Sequence, residues 1–334
     1  MKIIFQARDL RARSEDSVKI LYLDDQIPLP SKGSGFGRSF DNLSILANLG
    51  HKITLITYLE LQDEDKHECR EIQELGIECM TGKWDQVAMS RPGYYDIVIV
   101  SRPDNLLRTI DTWTNIYKHS PFQLVYDMEA LAYRRDEMRM DISNEQNILF
   151  PSLVATGEEG NKENITREEI QDFRNTEESL IGVADLIISV SDRESEFVKE
   201  MKPDVRDNVF TVGHVMDVDF ERITAKNFDD RNGILFLAGF NGNMYYNGDA
   251  IWYFLNETYP LVLKDSSEPI PITIAGRGIS QRLIDYIEDM DSEMREHISV
   301  RESISAEEMQ DLYDSSRIFI APHLYGAGIQ YKVS

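Results

Sequence analysis

The sequence predicts an α/β protein built from two units, each a parallel sheet with helices on both faces. Three observations carry this. Short apolar runs rich in β-branched residues alternate with segments of helical period, the alternation runs through twice, and glycine turns stand at the ends of several runs. A chain of 334 residues fits two domains of roughly 100 to 200 residues each. The boundaries expected are an N-terminal extension at 1–18, a first domain at 19–213 with an insertion at 141–164, and a second domain at 214–334.

The first run, "VKILYLDD" from Val18, has the composition of a buried strand. The glycine-rich turn "PLPSKGSGFGRS" follows, then a helix whose apolar positions Phe40, Leu43, Leu46 and Ala47 stop at Gly50, a residue suited to a left-handed C-cap. "HKITLITY" is the next strand, Glu64 to Leu75 a helix, "YDIVIVS" from Tyr95 a strand, Leu106 to Tyr117 a helix, and "FQLVYDM" from Phe122 a strand. Between Asp141 and Asn164 no period is sustained, which predicts an exposed insertion. A helix resumes through "ITREEIQDFRNTEESLIGVA", followed by strand "DLIISVS". Ser191 and Glu194 have the spacing of a capping box that opens a helix to Met201, and "NVFTVGHV" closes the half. After the charged linker "ERITAKNFDDRN" come strand "GILFLAGF", a helix over Trp252 to Leu263, strand "PITIAGRG", a helix over Ile279 to Met290, and the short strand "HISV". A helix at Ser305 to Tyr313, opened by a second Ser-x-x-Glu box, leads into the last strand, "RIFIAPH".

A net charge of −24 disfavours general binding to nucleic-acid backbones, because that affinity comes from clustered Lys and Arg. The short basic groups, Arg8 to Arg13 and Arg134, Arg135 and Arg139, read as solvated surface. Cys69 and Cys79 form neither a CxxC zinc site nor a disulfide framework, so a reducing, cytoplasmic setting is expected. No signal-peptide core and no apolar stretch of ~18 residues occur, which leaves peripheral membrane contact compatible with the sequence.

In open parallel sheets ligands bind beyond the carboxyl ends of strands. The first such loop, Gly33, Ser34, Gly35, Phe36, Gly37 and Arg38, has arginine where the dinucleotide fingerprint needs its third glycine. It reads either as a loop over a ligand at a helix N-terminus, where free N–H groups favour anions, or as a turn that needs positive φ. Asp127 and Glu129 end a strand with the spacing of acid/base carboxylates, and equally of a helix N-cap. His51 reads as structural, whereas His214 stands at the seam of the halves. In the second half Gly239, Phe240 and Asn241, then Arg277 and Gly278, then Tyr325, Gly326, Ala327, Gly328 and Lys332 gather glycines and two cations, which is what a diphosphate requires. No metal-ligand cluster is legible, so the cations would neutralise the phosphates.

Taken in order, "PLPSKGSGFGR…LANLGHKITLIT", "VYDMEALAYRRDE", "ADLIISVSDRESEFV", "GILFLAGF", "ITIAGRG" and "LYDSSRIFIAPHLYGAGIQYKVS" resemble the glycosyltransferases of the GT-B fold, and among them the retaining enzymes of family 4. The resemblance runs from Lys19 onward. It implies two facing Rossmann-like domains, the first holding the acceptor (a glycan, a lipid-linked sugar or a protein) and the second a nucleotide-sugar donor, with no cofactor and no metal. It places Gly33 to Gly37 nearest the donor and gives Arg277 and Lys332 its phosphates. In such enzymes the leaving phosphate takes the acceptor proton, and the protein supplies position and charge. Glu129 falls where many relatives carry a histidine, a departure that leaves the identity of any catalytic side chain open, with Asp127 and Glu129 as the candidates. In relatives the last loop continues into a helix with a ribose-binding Glu, so a truncated second domain is expected here. The alternatives are an inactive relative acting as a scaffold, a sugar-nucleotide epimerase, or a two-lobed binding protein.

Overall fold

The structure, a computed structural model, describes residues 2–5, 17–29, 34–59, 69–81, 84–116, 118, 121–151, 153–154, 165–215, 227–240 and 244–328. In chain order the elements of its first half are β1 (Lys2–Phe5), β2 (Lys19–Asp24), α1 (Ser34–Asn48), β3 (Lys52–Thr57), α2 (Cys69–Glu74), β4 (Glu78–Thr81), α3 (Trp84–Ser90) and β5 (Ile97–Ser101). There follow α4 (Pro103–Asp111), β6 (Gln123–Glu129), α5 (Tyr133–Gln146), α6 (Arg167–Ile181), β7 (Leu186–Ser189), α7 (Asp192–Met201) and β8 (Val209–Thr211). The remainder comprises β9 (Ile234–Leu237), α8 (Tyr245–Tyr253), α9 (Tyr259–Asp265), β10 (Ile272–Gly276), α10 (Gln281–Glu288), α11 (Ser292–Arg295), β11 (Ile298–Glu302), α12 (Ala306–Ser315) and β12 (Ile318–Phe319).

Packing divides the chain into one unit from residues 1–131, 171–216 and 327–331 and another from 132–170, 217–326 and 332–334. The first holds the sheet β1-β4-β3-β2-β5-β6-β7-β8, parallel except for β1, which runs antiparallel to β4. Five of six positions in both β2 and β3 are buried, because helices cover both faces and leave no solvated side to alternate with. Its core gathers Ile20, Leu43, Leu55 and Ile99.

The second unit holds the parallel sheet β11-β10-β9-β12. Its core joins Phe236, Ile274, Leu255 and Leu283 to Leu153 and Val154. The last two fall inside the expected insertion, and that expectation is corrected. Residues 141–146 finish α5, and the apolar side chains at 153 and 154 are buried among those of the second sheet. Ser191 does cap α7, accepting from Glu194 N at 3.2 Å, but no capping box closes, because the Glu194 carboxylate accepts from Leu131 N and Gly328 N instead. The second expected box, Ser305 and Glu308, is complete.

Candidate functional site

Strand order singles out one place in each sheet. From β2 the chain moves to β3 and β4 on one side and then to β5 on the other, so the carboxyl ends of β2 and β5 flank the reversal. In the second unit the reversal lies between β9 and β12. Polar side chains concentrate at both places.

In the first unit Asp24 ends β2 and Arg102 follows β5. Arg102 Nη1 bonds Asp24 Oδ1 and lies 3.2 Å from Asp25 Oδ2, while Nη2 lies 3.4 Å from Glu129 Oε1. The Phe36 ring stacks on the guanidinium with its centroid 4.2 Å away. A Cβ on Gly35 would sit 3.3 Å from Glu129 Oε1 and 3.4 Å from Arg102 Nη2, so a glycine here lets α1 approach the pair. Arg102 and Glu129 have φ of 72° and 58°, left-handed values that cost a non-glycine residue roughly 1–3 kcal/mol and tend to occur where side-chain placement matters. Burial pushes the Asp24 carboxyl up to about 7, with Arg102 opposing. His214, half-buried, is held below its ordinary pKa by burial and by Arg38, against Glu129.

The structure places the expected first-unit residues as follows. Ser34, Gly35 and Gly37 are not a loop but the first turn of α1, which begins earlier than Phe40. Gly33 lies outside the described residues. Arg38 and Asp127, expected to hold the donor and to act in catalysis, are each 1% exposed and are paired with each other at 2.9 and 2.8 Å. Arg38 Nε also donates to Val212 O at 3.0 Å. Burial raises the Asp127 carboxyl and Arg38 opposes it. The pair is thus committed to internal positioning. Of the two expected carboxylates of β6, Glu129, whose side chain is 25% exposed, is the one open to solvent. Sequence reasoning missed Asp24, Asp25 and Arg102, although a strand ending in "LDD" and one ending in "SRP" carry the signal.

In the second unit Asn247 Nδ2 donates to Gly239 O at 2.6 Å, and Asn247 Oδ1 is 2.7 Å from His323 Nε2. Tyr325 OH donates to Asp249 Oδ2 at 2.5 Å, Arg139 Nε donates to the same oxygen at 2.7 Å, and Tyr245 OH bonds Asp136. Burial raises Asp249, with Arg139 and Tyr325 opposing. Arg139, expected to be solvated surface, is therefore buried and paired, because α5 packs on this unit. Phe240, expected at the donor, is buried against Phe236 and offers only its backbone. Arg277 is exposed, and its carbonyl accepts from Phe240 N at 2.8 Å. Gly278 follows at φ 77°. Gly326 groups with the second unit, while Ala327 and Gly328 group with the first, where Gly328 N donates to Glu194 Oε1 at 3.1 Å. Asn241 and Lys332 lie outside the described residues.

Among the described residues no helix is long and apolar enough to cross a membrane, and no group of three or more His, Cys, Asp or Glu has a metal-holding arrangement.

Comparison with known proteins adds relatives for both units. An uncharacterized 44.6 kDa protein in the cps region of Klebsiella pneumoniae is 26% identical over 341 residues, covering 94% of this chain and 79% of that protein. The crystal structure of Glycyrrhiza uralensis UGT73P12, complexed with glycyrrhetinic acid 3-O-monoglucuronide, is similar at a TM-score of 0.51 and 11% identity, covering 91% of this chain and 72% of that one. A UDP co-structure of MnaA from S. aureus has a TM-score of 0.48 at 9% identity, over 90% of this chain and 73% of that one, a likeness too slight to carry an argument. The doubled α/β architecture with its two parallel sheets, shared with the Glycyrrhiza protein, is the GT-B fold. Residues 236–334, from Phe236 in β9 onward, match the model of the family described as Glycosyl transferases group 1.

Proposed function

We propose that the protein is a glycosyltransferase that moves a sugar from a nucleotide-sugar donor to a glycan, lipid-linked or protein acceptor, with retention of anomeric configuration and without a metal ion. The observation that carries this is the family match over residues 236–334, which contains both loops flanking the β9/β12 reversal. In this reading the second unit holds the donor through backbone amides of Gly239, Gly278 and Gly326, with Arg277 and Lys332 as candidate cations. Glu129, held by Arg102, faces the acceptor hydroxyl. Charge stabilisation of the departing diphosphate then supplies the main catalytic effect, about 3–4 kcal/mol for one well-placed donor.

The test is a thermal-shift panel of nucleoside diphosphates and nucleotide sugars, since a ligand that binds only the folded state raises the unfolding temperature. The ligand that stabilises the protein is then incubated with candidate acceptors, and the product's anomeric configuration is read by NMR. Transfer with retention is expected. Epimerised free sugar nucleotide would assign an epimerase, binding without turnover a scaffold, and an inverted product would refute retention.

A further inference from the structure

α5 supplies a cation to the second unit that sequence order does not suggest. Arg135 and Arg139 are one turn apart, on one face of α5. Arg139 is neutralised by Asp249, with its guanidinium over Phe150 and Tyr245. Arg135 is different. Its guanidinium lies 5.3 Å from the ring centroid of Tyr246, it has no ion-pair partner among the described residues, and its Nε is buried without an acceptor there. A buried donor left unsatisfied is costly, and an arginine stacked on a tyrosine keeps the edge of its fork for an anion.

The surroundings fit that use. Tyr246 is the second residue of α8, whose start has no side-chain cap. The His323 ring, from the segment after β12, lies 6.1 Å from the Tyr246 ring, and Asn247 ties His323 to the carbonyl of Gly239, just after β9. Arg135 thus stacks on an α8 residue whose ring neighbours His323, from the segment after β12, whereas Arg277 follows β10, one strand away from β12's neighbour β9.

We propose that Arg135 binds the diphosphate of the nucleotide ligand, with the Tyr246 ring holding its guanidinium in place. This rests on the nucleotide-sugar reading above and goes beyond it by assigning a cation from the 132–170 segment to the donor.

The experiment is calorimetric titration of the full chain with UDP, GDP, dTDP and ADP, and with the matching nucleosides, for the wild type and for Arg135→Gln, Arg135→Lys and Arg277→Gln. Loss of a charge-assisted contact should weaken diphosphate binding roughly tenfold or more in Arg135→Gln. Arg135→Lys should retain part of the affinity, and nucleoside binding should be unchanged. Equal diphosphate affinity in wild type and Arg135→Gln overturns the proposal while leaving the nucleotide reading intact. A wild type that binds none of the four diphosphates overturns both. If Arg135→Gln does not fold, modification of wild-type Arg135 by phenylglyoxal, followed by mass spectrometry, decides the matter. Slowing by the bound diphosphate and not by its nucleoside supports the assignment, and an unchanged rate refutes it.

Discussion

Gly276 leaves β10 at φ 153°, and a Cβ added there would run into the backbone carbonyl of Ala238, just past the end of the neighbouring strand β9. Backbone cannot yield as a flexible side chain does. Gly276→Ala should therefore destabilise the protein by about 3 kcal/mol, at the upper end for a single substitution, read from urea unfolding. Gly37 and Gly50 have open space where a Cβ would go. At Gly37 an alanine should cost little, and the contrast separates a glycine required by packing from one tolerated in a helix. Arg38 and Asp127 show the opposite case of residue types that promise chemistry and deliver architecture. Their partnership spans 89 positions, and only the neighbouring of β6 and α1 brings them together.

α5 is the element whose position matters most to the site. Its low apolar content hides its partners, since it docks through Asp136 and Arg139, which meet Tyr245 and Asp249. Asp249→Ala would leave the Arg139 guanidinium buried without its carboxylate, a change that costs roughly 3–5 kcal/mol. Hydrogen exchange should then quicken along residues 133–146 more than in β9 or β10, because those strands keep their own ladder. Uniform acceleration across the second unit would mean that α5 unfolds only with the whole. For comparison, removing the Ser305 hydroxyl at α12 should cost only about 1 kcal/mol, the usual worth of an N-cap.

The charge of −24 makes carboxylates the main agents of any pH dependence. Asp24 acts in an uncommon direction. Its folded-state pKa, about 7, stands above the unfolded value of 3.8, so the folded protein binds the extra proton between these limits. Its contribution is complete below 3.8 and fades as pH rises through about 7, so stability should fall across that window. Urea unfolding at pH 5 and pH 8 measures the fall, and subtracting the same difference for Asp24→Asn isolates it from the other carboxylates. An identical pH dependence in the variant would show that Asp24 ionises at its ordinary value.

The alternation of apolar runs and helical periods already specifies a doubled α/β protein, because burial on both faces of a sheet forces continuous apolar strands and short punctuated connections. The Ser305 box was legible for the same reason, that it needs only residues three apart. The Asp24–Arg102–Glu129 cluster was not legible, nor was Arg38 bonded to Asp127 or α5 seated against α8. Each depends on which strands lie side by side, and strand order leaves no local mark in the chain. The amino-acid order set the elements and the glycine-bearing ends of strands; tertiary packing decided which charges are consumed in pairs, as Arg139 is, and which, like Arg135, have no ion-pair partner among the described residues. A charged side chain has no intrinsic fate, since burial and a distant partner determine whether it holds the fold or a ligand.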